Sequence, residues 1–206
     1  MDSIELKSME SIIVKMASKT REVVEQTTRL FTERDVGVRR RIHEDINSSI
    51  IMLEELRKEL VYQVLIYVAR RQPLGRELTI AYALLSIAYD LYRISRYCRE
   101  LARIDAALMP ASGLADIKDM ATVIREVLKA VDAGLLDLAE FKPARAKVIK
   151  EVDKYIDEVY ASIIKEVSAR DHVDRLTAFK LLAMRHIERI VDHLEYIENY
   201  MYEALY

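Results

Sequence analysis

The sequence predicts an all-α protein of six long helices, arranged as two tandem, duplicated three-helix bundles. Three observations carry this prediction. Four glycines and three prolines punctuate 206 residues, and nearly all fall where a helix would stop. Apolar residues recur at three- and four-residue spacing through almost the whole chain. No stretch shows sustained period-two alternation or a hairpin dipeptide, so strands are not expected.

The elements follow in order. The first carries Met9, Ile13, Met16, Val23, Val24 and Leu30 on one helical stripe and is expected to end at Gly37. The second spans about 38–72 and stops at Pro73-Leu74-Gly75, because proline lacks the N–H that would continue the helix. The third spans about 76–109 and ends at Pro110. Pro110-Ala111-Ser112-Gly113, near the midpoint, reads as a linker at 110–113 between bundles at 1–109 and 114–206. The fourth helix begins near Ala115 and ends before Pro143, with Gly134 inside it as a candidate kink. The fifth spans about 143–169, Pro143 suiting its first turn. Asp171 reads as the N-cap of the sixth, with Asp174 in the first turn, and that helix runs to the C-terminus.

The halves resemble each other. Sliding the third segment onto the sixth places Arg93-Ile94 on Arg189-Ile190 and Leu85 on Leu181. Sliding the second onto the fifth places Leu53, Leu56, Leu60 and Val64 on Ile156, Val159, Ile163 and Val167. Coincident apolar positions with little identity are what an old internal duplication leaves.

Composition narrows the function classes. Apolar residues make up 51% and charged residues 32%, and 34 acidic against 32 basic residues leave a net charge of −2. That balance argues against a protein that coats nucleic acid or an anionic membrane. Cys98 is the only cysteine, which excludes an intrachain disulfide and a thiolate metal cage. The first ten residues lack a basic segment followed by an apolar run, and the longest charge-free stretch, 78–89, is too short to span a bilayer. A cytoplasmic protein is expected.

Acidic pairs are the candidate chemistry. Asp153 and Asp157 on the fifth helix, and Glu188 and Asp192 on the sixth, are each spaced i, i+4, so each pair lies on one helical face. The sixth helix's apolar stripe is Leu176, Phe179, Ala183, Ile187, Ile190, Leu194 and Ile197, and Glu188 and Asp192 point away from it. Asp153 and Asp157 sit on the flank of theirs, so all four are expected at the surface. Most such pairs only keep a helix soluble, and their like charges repel slightly. Here neighbouring helices both carry one, and antiparallel packing would bring four carboxylates together. Such an oxygen-only set favours a hard cation: Mg²⁺, Mn²⁺ or iron. His193 follows Asp192 but diverges by about 100° around the helix, and His186 lies at the edge of the stripe, so neither is expected as a ligand. No Glu is followed three positions later by His, so the di-iron signature of ferritin-like bundles is missing.

Three segments carry a family resemblance. The run Arg185-His186-Ile187-Glu188-Arg189-Ile190-Val191-Asp192-His193 resembles the L-E-R-I-G-D-H motif of the PhoU family. Arg71-Gln72-Pro73-Leu74-Gly75-Arg76-Glu77-Leu78 is similar to that family's R-Q-P-x-A-x-D-L segment. Asp90-Leu91-Tyr92-Arg93-Ile94-Ser95-Arg96-Tyr97 stands where its first D-L-E-R-I-G-D-Y would fall. The resemblance implies two three-helix bundles with E/D-x-x-x-D pairs that hold multinuclear metal clusters. It also implies negative regulation of phosphate import. The partners it implies are a phosphate ABC transporter's cytoplasmic ATPase and a membrane sensor kinase; a homodimer is a candidate assembly.

The first half departs from the pattern. Tyr92 and Arg96 stand at the family's acidic positions on the third helix, and Ile50 and Glu54 at those on the second. The metal set is therefore expected on the second bundle alone, through Asp153, Asp157, Glu188 and Asp192. Val191 replaces the motif's glycine. The expected function is a non-catalytic regulator of phosphate transport. One alternative is a metal-dependent helical hydrolase of phosphorylated substrates, although no nucleophile or Gly-rich phosphate loop is visible. Another is a nucleic-acid binder using Arg39-Arg40-Arg41 or the stripe of Arg93, Arg96 and Arg99, which a solvated face explains equally.

Overall fold

The computed structural model describes residues 4–108 and 118–205. Among them run six helices and no strand: α1 (Ile4–Leu30), α2 (Val36–Arg71), α3 (Arg76–Leu108), α4 (Lys118–Glu140), α5 (Ala146–Ser168) and α6 (Arg175–Leu205). The first three pack on one another, the last three do likewise, and the two sets meet along α3–α6 and α1–α4. The expected linker at 110–113, and with it the boundary between 1–109 and 114–206, lies outside the described residues. No described helix is long and apolar enough to cross a membrane.

Capping chemistry moves several helix ends from where the breakers alone placed them. α1 ends at Leu30, well before Gly37. The cause is Asp35, whose Oδ1 accepts the Val38 N–H at 2.8 Å and starts α2, so Gly37 lies in the first turn of the next helix. α2 ends where Gln72 enters the left-handed region at φ 48° and returns its N–H to the Val68 carbonyl at 3.0 Å, just before Pro73.

In the second half, α5 starts at Ala146 and not at Pro143. The Arg145 N–H donates to Asp137 Oδ2 at 2.5 Å, holding the chain in a turn until that point. The cap of α6 is Asp174 and not Asp171. Its Oδ1 accepts the Thr177 N–H at 3.0 Å and its Oδ2 the Thr177 hydroxyl at 2.7 Å. The bond from the Thr177 backbone, then that from its hydroxyl, holds the Asp174 carboxyl below the usual range.

α4 passes Gly134 without a break. A Cβ there would come within 3.3 Å of both Ile149 Cδ1 and Leu194 Cδ2, so the glycine serves the close approach of α5 and α6 to α4.

Burial carries the duplication further than identity does. At the register that aligns Arg93 with Arg189, the buried positions Ile87, Ala88, Leu91, Ile94, Cys98 and Leu101 fall on Ala183, Met184, Ile187, Ile190, Leu194 and Ile197, all likewise buried. Each fully buried Leu, Ile or Met among them contributes about 1.5–3 kcal/mol relative to exposure. The outer pairing is looser. Leu53, Leu60 and Val64 are buried on α2, whereas on α5 only Ile149, Val152 and Ile156 are, and Val159 and Ile163 are half-covered.

Between the bundles, Arg21 on α1 pairs with Asp132 on α4 at 2.7 Å, and Phe31 meets Phe179 edge-on at 6.2 Å. Tyr82 on α3 meets Tyr200 on α6 in the same way at 6.0 Å.

Candidate functional site

Antiparallel packing of α5 on α6 brings the predicted acids into one electrostatic group. Burial, and then repulsion from Asp157, Glu195, Asp192 and Glu188 in that order, pushes the Asp153 carboxyl up to about 6. Glu195 is a member that the motif reading missed; it lies one helical turn beyond Asp192, and the i, i+3 spacing was the available signal. Glu188 and Asp192 are less exposed than expected, with 14% and 22% of their side-chain surface accessible. Asp157 is exposed.

Basic side chains lie over this ridge. Arg185 Nη1 donates to Glu188 Oε2 at 2.6 Å, and Arg189 Nη1 donates to Asp192 Oδ2 at 3.1 Å. Lys150 approaches Glu195 at 3.9 Å. Among the described residues, no three His, Cys, Asp or Glu side chains converge as ligands of one ion. The donor chemistry nevertheless suits a hard cation: it is oxygen-only and multiply charged.

The corresponding face of the first bundle has different chemistry. Ile50 is buried, and Glu54 pairs with Lys58 at 3.8 Å. The Tyr92 ring lies under two guanidinium groups, Arg57 at 5.2 Å and Arg96 at 5.9 Å from its centroid. Where the second bundle gathers carboxylates, the first stacks arginine on tyrosine.

His186 and His193 lie where the bundles meet, and His43 approaches Asp105 at 3.3 Å. His193 is buried and faces Asp90 across the bundle interface. His186 stacks on Tyr97 at 5.8 Å, and burial lowers its pKa. The Arg39-Arg40-Arg41 run is not an open basic patch either. Arg39 is buried, donating to Asp105 at 2.5 Å and to the carbonyls of Leu30 and Glu33, and so ties the end of α1 to α2 and α3. A second buried group escaped the sequence reading: Asp137, ion-paired to Arg145, beside Glu198. Burial, then the charge of Asp137, pushes the Glu198 carboxyl up to about 8. Both are single acids within apolar runs, which periodicity cannot distinguish from surface positions.

Residues 13–104 match the model of the PhoU domain. The chain carries a PhoU domain over these residues. The match falls on the first bundle, where Ile50, Tyr92 and Arg96 stand at three of the four motif-acid positions and Glu54 at the fourth. Among curated relatives, a phosphate-specific transport system accessory protein PhoU homolog of Rhizobium meliloti is 25% identical over 210 residues, covering 96% of this chain and 84% of the relative. A homolog of the same description from Synechocystis is 22% identical over 144 residues; that match covers 68% of this chain and 64% of the relative's length. The crystal structure of PhoU from Pseudomonas aeruginosa superimposes with a TM-score of 0.81 at 18% identity, covering 98% of this chain and 97% of the other. PhoU from Streptococcus pneumoniae gives 0.81 at 16%, covering 98% and 95%. At such identities the two structures establish the shared fold.

Proposed function

We propose that this chain is a non-catalytic negative regulator of phosphate transport and phosphate homeostasis, acting in the cytoplasm through protein contacts. The observation that carries the reading is the nearly full-length likeness to a phosphate-specific transport accessory protein, over 96% of this chain. The partners that fit are the cytoplasmic ATPase of a phosphate ABC transporter and a sensor kinase, with a homodimer as a candidate assembly. Asp153, Asp157, Glu188 and Asp192 would hold a hard cation, iron, Mn²⁺ or Mg²⁺, whose charge would offset the repulsion felt by Asp153. Arg185 and Arg189 neutralise the same face when no cation is bound. Deleting the gene should raise phosphate uptake, or derepress phosphate-starvation transporters, under phosphate-replete conditions. Unchanged uptake and expression, together with metal-dependent phosphatase activity of the pure protein, would overturn the reading in favour of an enzyme.

A further inference from the structure

The α2–α3 face of the first bundle holds a basic cluster that the regulator reading does not use. Arg57 and Arg96 share the ring of Tyr92, at 5.2 and 5.9 Å from its centroid, and Arg93 lies 4.9 Å from the centroid of Tyr97. Arg93 donates to the Tyr97 hydroxyl at 2.5 Å, and Arg96 donates to the Tyr92 hydroxyl at 3.4 Å. Arg57 makes no hydrogen bond or ion pair among the described residues, and the Nε atoms of all three arginines are buried without a partner.

Beside the cluster, Arg103 pairs with Glu100 at 3.1 Å and Lys58 with Glu54 at 3.8 Å. Glu100 and Glu54 still favour the charged form of Arg96, after its bond to the Tyr92 hydroxyl, from beyond ion-pair distance. Among the described residues, none of Arg57, Arg93 and Arg96 then has a carboxylate within ion-pair distance. Three like charges on one face repel, and ring faces compensate them only in part. An anion would remove that cost. The tyrosine rings also fix the guanidinium planes, so less side-chain freedom is lost when a ligand binds.

We propose that Arg57, Arg93 and Arg96, set around Tyr92 and Tyr97, form an oxyanion site that takes a phosphate or phosphoryl group. The chemistry favours phosphate over a carboxylate. Arg57 and Arg96 share one ring from two helices, and Arg93 stands one turn from Arg96 on α3; together they offer more donors than two carboxylate oxygens accept, whereas a phosphate presents three or four oxygens in a tetrahedron. The proposal is independent of both the metal set on the second bundle and the transport role.

The test is isothermal titration of the full chain with inorganic phosphate in one arm and ADP in the other. Saturable binding is expected in at least one arm. Binding of phosphate alone assigns the site to the free anion, and binding of ADP alone to a nucleotide phosphoryl group. The double variant Arg57→Gln/Arg96→Gln should weaken binding by about tenfold or more, since charge-assisted forks are lost. Arg57→Lys/Arg96→Lys, which keeps the charge without the fork, should fall between it and the native chain. Arg103→Gln should bind as the native chain does. Far-UV circular dichroism checks that each variant is folded. Absence of saturable binding in both arms, or unchanged affinity in the folded glutamine variant, overturns the proposal.

Discussion

His193 on α6 donates through Nδ1 to Asp90 Oδ1 on α3 at 2.7 Å, joining residues from opposite halves of the chain in a site that is nearly closed to solvent. The duplication accounts for where the pair lies. At the register that aligns α3 with α6, Asp90 corresponds to His186 and Tyr97 to His193. The counterpart of the Asp90–His193 contact is therefore the stacking of His186 on Tyr97, and Tyr97 also lies 5.5 Å from the His193 ring. Two helices related by duplication meet antiparallel, so each contact has a second version. Only one of the two versions has become an ion-type hydrogen bond.

That bond should stabilise the join between the bundles. His193→Ala leaves the Asp90 carboxylate buried without its donor, and should cost about 2–3 kcal/mol in urea denaturation. Removing both partners in His193→Ala/Asp90→Ala should cost less than the sum of the single changes, because the stranded charge is gone. A loss under about 0.5 kcal/mol for the single change would show that the pair does not hold the bundles together.

Glu198 should make stability depend on pH. Its folded carboxyl titrates near 8, against an ordinary value of 4.5, so the folded state keeps the proton that the unfolded chain releases first. Between those values stability should fall as pH rises, and level off above about 8. Asp153, pushed up to about 6, adds the same sign between its ordinary 3.8 and that point. Glu198→Gln, neutral throughout, should flatten the dependence and be more stable than the native chain at pH 8 by about 2 kcal/mol. Parallel curves for the two proteins from pH 5 to pH 8 would contradict this.

Metal content should belong to the second bundle. Elemental analysis of protein purified without chelator should find iron, manganese or magnesium, and Glu188→Ala/Asp192→Ala should abolish it, since two of four oxygen donors are removed. Glu54→Ala on the first bundle should leave the content unchanged. A double variant that retains full metal content would exclude these acids as ligands.

Much of this molecule was legible along the chain because the information is local. Helical periodicity, and prolines at 73 and 110, set the number of helices, and the i, i+4 acids marked the face where α5 and α6 share charge. Helix ends were legible less well. Asp35 and Asp174 outcompete Gly37 and Asp171 because a cap depends on which side chain reaches a free backbone N–H, a geometric matter.

Other features were decided only by packing. Asp90, Asp105, Asp137 and Glu198 are acids within apolar stretches, and nothing adjacent in sequence shows that His193, Arg39 and Arg145 will meet the first three, or that Glu198 will be left beside Asp137. The sequence by itself determined the helices, their duplication and the acids of α5 and α6, since each depends on spacing within a single helix. The tertiary structure alone decided the burial of Glu198, the joining of the bundles through Asp90 and His193, and the stacking of Arg57 and Arg96 on Tyr92. Each of those depends on which faces of two separate helices come to lie together.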